Sequence, residues 1–295
     1  MNSLYDLHAH STWSDGDHAP DVVAALAKRK KLQGVILTDH DTLAGWPAFA
    51  RVAKKLHITT LQGLEITSTF EQTDIHILAY STHFKMPQLQ PLLRHIKHAA
   101  SARMKQVAKK LAHADIAHLD IKTLERRKGS SAHLTKYDLI NELVWTHGIP
   151  FPDAQNIIER GGTAYVPYDR HLIPDPKTVI TTIHNAGGLA VLAHPGEMLK
   201  RTSNTLTRAK TVMQNALQQL ISFGIDGIEV YTPRHSPDQI KEFLTLARTH
   251  DLLVTGGSDF HGAIHAPQRP IGSGGVNPIL WQTLLKRLSN TGTKK

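Results

Sequence analysis

The sequence predicts an α/β protein in which two stretches of alternating strands and helices flank a helical insertion. Short apolar runs rich in branched residues, such as Gly34-Val35-Ile36-Leu37-Thr38 and Leu189-Ala190-Val191-Leu192, recur between longer amphipathic runs. The strand runs end repeatedly in histidines and carboxylates. Between about Pro87 and Asp175 the texture changes: helical spacing persists and no strong strand pattern appears. These observations divide the 295 residues into 1–86, an α/β first part; 87–175, the insertion; and 176–295, where the α/β rhythm resumes.

Taken in order, Leu4 to Leu7 is a short strand that runs into Tyr5-Asp6-Leu7-His8-Ala9-His10, with Asp15 beside Gly16 further on. Ala19 to Lys31 has Pro20 near its start and Val22, Val23, Leu26 and Ala27 at helical spacing. Gly34 to Thr38 is a buried-type strand ending in Asp39-His40-Asp41, and Gly45 to Leu56 a helix. Ile58 to Leu64 is a strand ending at Glu65, and Asp74 to Tyr80 a strand with His76 inside it. In the insertion, Leu93, Ile96, Ala100, Met104, Val107 and Leu111 mark a long amphipathic helix. Shorter helices are expected over 134–146 and 152–160. Then come a helix over 176–186, a strand 188–193 ending in His194, a helix 206–223 and a strand 226–231. A helix over 237–250 and a strand 252–257 ending in Ser258-Asp259-Phe260-His261 complete the series.

Composition excludes several classes. Hydrophobic residues make up 40% and charged residues 20% of the chain, as in ordinary globular proteins, and no apolar run approaches the length of a membrane span. The N-terminal run enters a strand at once, so no signal peptide is expected. With no cysteine, disulfides and thiolate metal sites are excluded and a cytoplasmic setting is expected. The net charge of +9 favours an anionic partner such as a nucleic acid or a phosphorylated metabolite.

His8, His10, His40, Glu65, His194, Asp259 and His261 all fall at or just past a strand end. In an extended segment residues i and i+2 point the same way, so His8 and His10 converge. One histidine at a strand end is unremarkable. Five strand ends each delivering a ligand-type residue point to a site of mixed nitrogen and oxygen donors, suited to manganese, iron or zinc.

The blocks DLHAHSTWSDG, LTDHD, GLEI, DIHILAY, LAHP and GSDFH resemble the motifs of the PHP (polymerase and histidinol phosphatase) family of metal-dependent phosphoesterases. Their order, and the run Gly161 to Pro167, are similar to one branch, the nucleoside 3',5'-bisphosphate phosphatases and the related 5'-to-3' exoribonuclease RNase AM. The resemblance implies a distorted β/α barrel of about seven strands and up to three divalent metals, with manganese expected first. It implies that His8, His10, Glu65 and Asp259 hold one metal, and that Glu65 bridges to a second held by His76 and His194. Asp15, His40 and His261 would hold the third. The chemistry implied is attack of a metal-activated hydroxide on a phosphorus ester.

For substrate contacts, Arg103, Lys136, Tyr168 and His235 are the candidates: two cations for phosphate, an aromatic ring for a base, and an imidazole near the strand-end edge. The branch tends to carry arginine where Lys136 stands and lysine where Gly162 stands. Asp39 and Asp41 flank His40 and either orient an imidazole or cap a helix; Glu229 is a supporting or substrate-facing carboxylate. His83 and His265 are further edge candidates, and Trp145 is assigned to the core. The expected substrate is a nucleoside 3',5'-bisphosphate such as pAp, losing its 3'-phosphate, or short 5'-phosphorylated RNA trimmed 5' to 3'. The rivals are a phosphatase for another small phosphomonoester, of histidinol-phosphate type, and a non-catalytic basic nucleic-acid-binding module. Oligomeric state is left open.

Overall fold

The computed structural model describes residues 4–70, 73–129, 134–169, 171–197 and 206–291. The first part comprises β1 (Tyr5–Ala9), α1 (Pro20–Arg29), β2 (Gly34–Leu37), α2 (Trp46–Lys55), β3 (Gln62–Phe70) and β4 (Thr73–Ser81). Four helices follow: α3 (Met86–His113), α4 (Ile121–Lys128), α5 (Lys136–His147) and α6 (Phe151–Ile158). Then come α7 (Pro176–Asn185), β5 (Leu189–Leu192), α8 (Leu206–Ser222), β6 (Gly227–Tyr231) and α9 (Pro237–Thr249). The chain ends with β7 (Leu253–Gly256), the short α10 (Gly262–His265) and α11 (Pro278–Thr291). Helix starts obey local chemistry: Pro20, Pro176 and Pro237 sit in first turns, and Ser236 with Gln239 makes a capping box.

Among the described residues, seven strands form two sheets, β1-β2 and β3-β4-β5-β6-β7, in a mixed α/β fold. β1 and β2 are parallel, as are β5, β6 and β7, but β4 runs antiparallel to both β3 and β5. The cause lies between Phe70 and Thr73, which pair with each other across the hairpin. A parallel crossover needs about a dozen residues, and two are present. β3 also runs five residues past Glu65, whereas the sequence places its end there. Residues 67–70 pair with 73–76, so Glu65 sits within the strand.

Isolated bridges join the sheets: Ala9 to Phe260, beyond β7, and His40, beyond β2, to Glu65. The hydrogen bonds His10 N–H to Phe260 O (2.8 Å), Thr38 N–H to Ala9 O (2.8 Å) and Asp41 N–H to Glu65 O (2.9 Å) carry backbone pairing across three strand ends. Side chains alternate accordingly. Tyr5, Leu7, Ile36, Leu78, Tyr80, Leu189, Val191 and Leu253 share one core with Trp281 and Leu284 of α11. Leu64, Ile66, Ile77, Ala79, Ala190, Leu192, Ile228 and Val230 face outward onto α3, α7, α8 and α9. Helices α3 to α6 gather a separate core of Met104, Val107, Leu111, Leu139, Ile140, Leu143 and Ile158. α4 is a helix the sequence pattern did not announce. Among the described residues, no helix is long and apolar enough to cross a membrane.

Strand packing is tight at Gly257, where an added Cβ would lie 2.3 Å from His8 Cβ and 2.5 Å from its backbone nitrogen. Neither atom can move without shifting β1. Gly257→Ala is therefore expected to destabilise the fold by about 1–3 kcal/mol. A urea midpoint unchanged from wild type would refute that.

Candidate metal centre

The strand ends bring nine ligand-type side chains together. His8 is the penultimate residue of β1, His10 follows the strand, and Asp15 lies in the turn beyond; His40 follows β2; Glu65 and His76 stand on β3 and β4. Hydrogen bonding of Ala193 N–H to His76 O (3.0 Å) extends the β4–β5 pairing and sets His194 beside His76. Asp259 and His261 leave β7. Donor atoms of His8, His10, Glu65 and Asp259 lie within 4.8 Å of one another, as do those of His10, Asp15, His40 and His261, and those of His40, Glu65 and His76.

Glu65 is the hub, buried and split between two sets of rings. Its Oε1 is 2.9 Å from His76 Nδ1 and 3.0 Å from His194 Nε2. Its Oε2 is 3.0 Å from His8 Nε2, 3.1 Å from His10 Nε2 and 3.5 Å from His40 Nε2. Asp259 Oδ1 is 3.3 Å from both His8 and His10, whose Nε2 atoms are 3.1 Å apart. His261 Nε2 is 3.2 Å from Asp15 Oδ2.

These spacings fit metal ligation. Donors about 2.1 Å from one ion stand about 3.0–3.4 Å from each other, as the edges of an octahedron or tetrahedron. The separations of His8 and His10 from each other, from Glu65 and from Asp259 fall in that interval. Asp15 Oδ1 is buried and accepts no hydrogen bond, a costly state that a cation would relieve. Asp259 and His194 adopt φ of +52° and +26°, backbone strain of the kind kept where a side chain must be aimed.

The electrostatics agree. Burial alone would raise the carboxyl groups, yet Asp15, Glu65 and Asp259 are held well below their ordinary range. His261 and His40 do this for Asp15, His40 and His8 for Glu65, and Arg234 and His261 for Asp259. Burial opposes charge on His8, but Glu229, Glu65 and Asp259 outweigh it and hold the ring well above its usual value. His10 is raised to about 9 against its burial by Asp259 and Glu65, whereas burial pushes His194 down to about 4. Ionised carboxylates packed this densely demand positive charge, which divalent ions supply.

Buried carboxylates hold the frame. Asp39 accepts from Ser11 N–H (2.7 Å), Ser11 Oγ (2.8 Å) and Ser14 Oγ (2.7 Å), pinning the loop that carries His10 and Asp15. Asp41 accepts from the Thr67 backbone and hydroxyl, each at 2.8 Å. In these contacts the two aspartates bind loop and strand rather than capping a helix. Glu229 reaches His8 Nδ1 at 3.0 Å and accepts from His194 N–H at 2.8 Å. Asp39→Ala is expected to lower metal affinity about 10–100-fold, and unchanged manganese binding in a calorimetric titration would contradict this.

The substrate candidates scatter more. The Arg103 guanidinium lies 4.3 Å from the centre of the Tyr168 ring, and its Nε donates to Val166 O at 2.8 Å. Lys136 Nζ pairs with Glu159 at 2.5 Å. His235 is not aimed at the cluster. Its Nδ1 donates to Val230 O (2.9 Å) and its Nε2 accepts from Gly196 N–H (3.1 Å), so both ring nitrogens support backbone. His265 is likewise structural: it donates to Asp15 O (2.8 Å) and stacks on Tyr137. Trp145, expected in the core, is 72% exposed. Arg234 and Arg269, which the sequence reading passed over, both pair with Asp259 Oδ2. Their one signal was position, in the loops after β6 and β7. Lys128, also passed over, reaches Ser14 O beside Asp15.

Residues 6–160 match the PHP domain. A 5'-3' exoribonuclease of Haemophilus influenzae is 31% identical over 263 residues, covering 88% of this chain and 91% of that protein. A 3',5'-nucleoside bisphosphate phosphatase of Chromobacterium violaceum is 27% identical over 264 residues, 87% of this chain and 86% of its own length. A crystal structure from Bifidobacterium adolescentis, named for an inferred metal-dependent phosphoesterase activity, matches with a TM-score of 0.81 at 26% identity over 96% of both chains. Family match, relatives and donor set agree: the chain belongs to the PHP domain family and is a metal-dependent phosphoric ester hydrolase.

Proposed function

We propose that the enzyme removes the 3'-phosphate of nucleoside 3',5'-bisphosphates, converting pAp to AMP, and trims short 5'-phosphorylated RNA in the 5'-to-3' direction. The observation that carries the metal chemistry is the division of Glu65, one oxygen toward His76 and His194 and the other toward His8, His10 and His40. That division suits a carboxylate shared between two metal positions. A third position would lie among Asp15, His40 and His261, and manganese fits the mixed donor set. When bound, such ions activate water as a nucleophile and offset charge on the phosphoryl oxygens.

The chain's own residues supply the rest. His8 and His10 point their Nε2 lone pairs inward, Glu229 holds the His8 ring and Asp39 the loop after His10, and Arg103 with Tyr168 offers a cation and a ring face. A 5'-phosphorylated nucleotide suits that pair, the phosphate for the guanidinium and the base for the ring. Lys136 would reach the same phosphate by exchanging its pairing with Glu159. The choice of nucleotide over other phosphomonoesters is supported by the two relatives that act on nucleotides or RNA. We further read the seven strands as one distorted barrel, closed through the bridges at Ala9 and His40 and interrupted by residues 87–175 as a helical unit.

The test is phosphate release from pAp and shortening of a 5'-phosphorylated oligoribonucleotide, with manganese, by wild type and Asp15→Ala. Hydrolysis of either, lost in the variant, is the expected result. Failure on both with metal bound would remove the nucleotide assignment.

A further inference from the structure

We propose that Arg234 and Arg269 form a clamp of two guanidiniums for the phosphoryl group undergoing cleavage. The proposal relies on the reading above only for the identity of the substrate. Arg234 follows β6 and Arg269 follows β7 and α10, so both come from the edge that carries the ligand cluster. Both converge on Oδ2 of Asp259, while Oδ1 of the same carboxylate faces His8 and His10 at 3.3 Å. The guanidiniums thus stand one carboxyl group away from the centre.

One arginine suffices to orient a carboxylate, since its planar fork engages both oxygens. Two aimed at a single oxygen bring more positive charge than that oxygen requires. Glu197, 3.2 Å from Arg234 Nη1, balances the second guanidinium, so the group is neutral only while Asp259 keeps its full charge for the pair. Once Asp259 shares its charge with a cation, the two guanidiniums outweigh what is left of the carboxylate charge and face a centre that is itself cationic. That crowding is tolerable only when an anion completes the site, and a phosphoryl group offers oxygens that match the forks. The edge is open at Arg234, whose side chain keeps 20% exposure, and narrower at Arg269, at 10%; among the described residues neither Nη2 makes a hydrogen bond or ion pair.

The experiment is calorimetric titration of the manganese-loaded protein with inorganic phosphate, for wild type, Arg234→Gln, Arg269→Gln and the two lysine replacements. Metal content per chain is measured on each by mass spectrometry. The expected result is phosphate affinity about tenfold or more lower in each glutamine variant, partly restored by lysine, at unchanged metal content. Unchanged phosphate affinity would overturn the clamp. So would an affinity loss that only follows metal loss, because the arginines would then merely position Asp259. Should a glutamine variant not fold, its lysine counterpart decides: there a weakened affinity at full metal content supports the clamp and an unchanged one overturns it. Arginine-dependent phosphate binding by a protein that hydrolyses neither pAp nor RNA would keep the clamp and discard the substrate.

Discussion

Glu65→Gln is expected to abolish activity, by about a thousandfold or more, and no excess of manganese will restore it. The substitution keeps shape and volume but gives one of the two positions an amide nitrogen, which has no lone pair to offer a cation. In one orientation the His76 and His194 side loses its donor; in the other the His8, His10 and His40 side does. Either way, on the reading proposed above, one metal position would lose its Glu65 oxygen. Metal ions contribute several kcal/mol of transition-state charge stabilisation, and about 1.36 kcal/mol corresponds to a tenfold rate change, which gives the stated magnitude. Metal content should fall in parallel. A circular dichroism melt separates this from unfolding. Activity within tenfold of wild type, at full metal content, would remove Glu65 from its shared position.

Much of this site was legible in the sequence because strand geometry is simple. His8 and His10 are two apart in a strand, and the other donors follow short apolar runs whose ends a reader can count. What sequence could not show was pairing. The sequence reading ends the strand at Glu65, yet Thr67, Ser68 and Thr69 beyond it form a hairpin ladder with β4. His235 sits at the expected edge but its ring turns to Val230 O and Gly196 N–H, contacts that depend on how two loops meet. The arginines at 234 and 269 were silent for the same reason, since their partner Asp259 is distant in sequence from one and separated by α10 from the other. Trp145 shows a simpler cause. Leu139, Ile140 and Leu143 define the buried stripe of α5, and at 100° per residue position 145 falls on the opposite side. An apolar run did not imply a buried one.

Glu229→Gln is expected to cost less than Glu65→Gln and to behave differently. Glu229 accepts twice, from His8 Nδ1–H through Oε1 and from the His194 backbone N–H through Oε2. Glutamine has one accepting oxygen, so its NH2 must confront one of these donors. If it confronts His8, the ring is driven to carry its proton on Nε2 instead, and the lone pair that faces Glu65 and Asp259 is lost. If it confronts His194, the loop after β5 loses its anchor and the His194 ring shifts away from Glu65. Support of this kind is worth about 10–100-fold in metal affinity. Activity at limiting manganese should fall by that factor and recover with excess metal, because every ligand atom is still present. The His8 tautomer, read by nitrogen-15 nuclear magnetic resonance, identifies which contact failed. Activity equal to wild type at limiting metal would show that Glu229 does not orient the ligands. A loss that excess manganese leaves in place would show that Glu229 acts on the substrate or the metal directly.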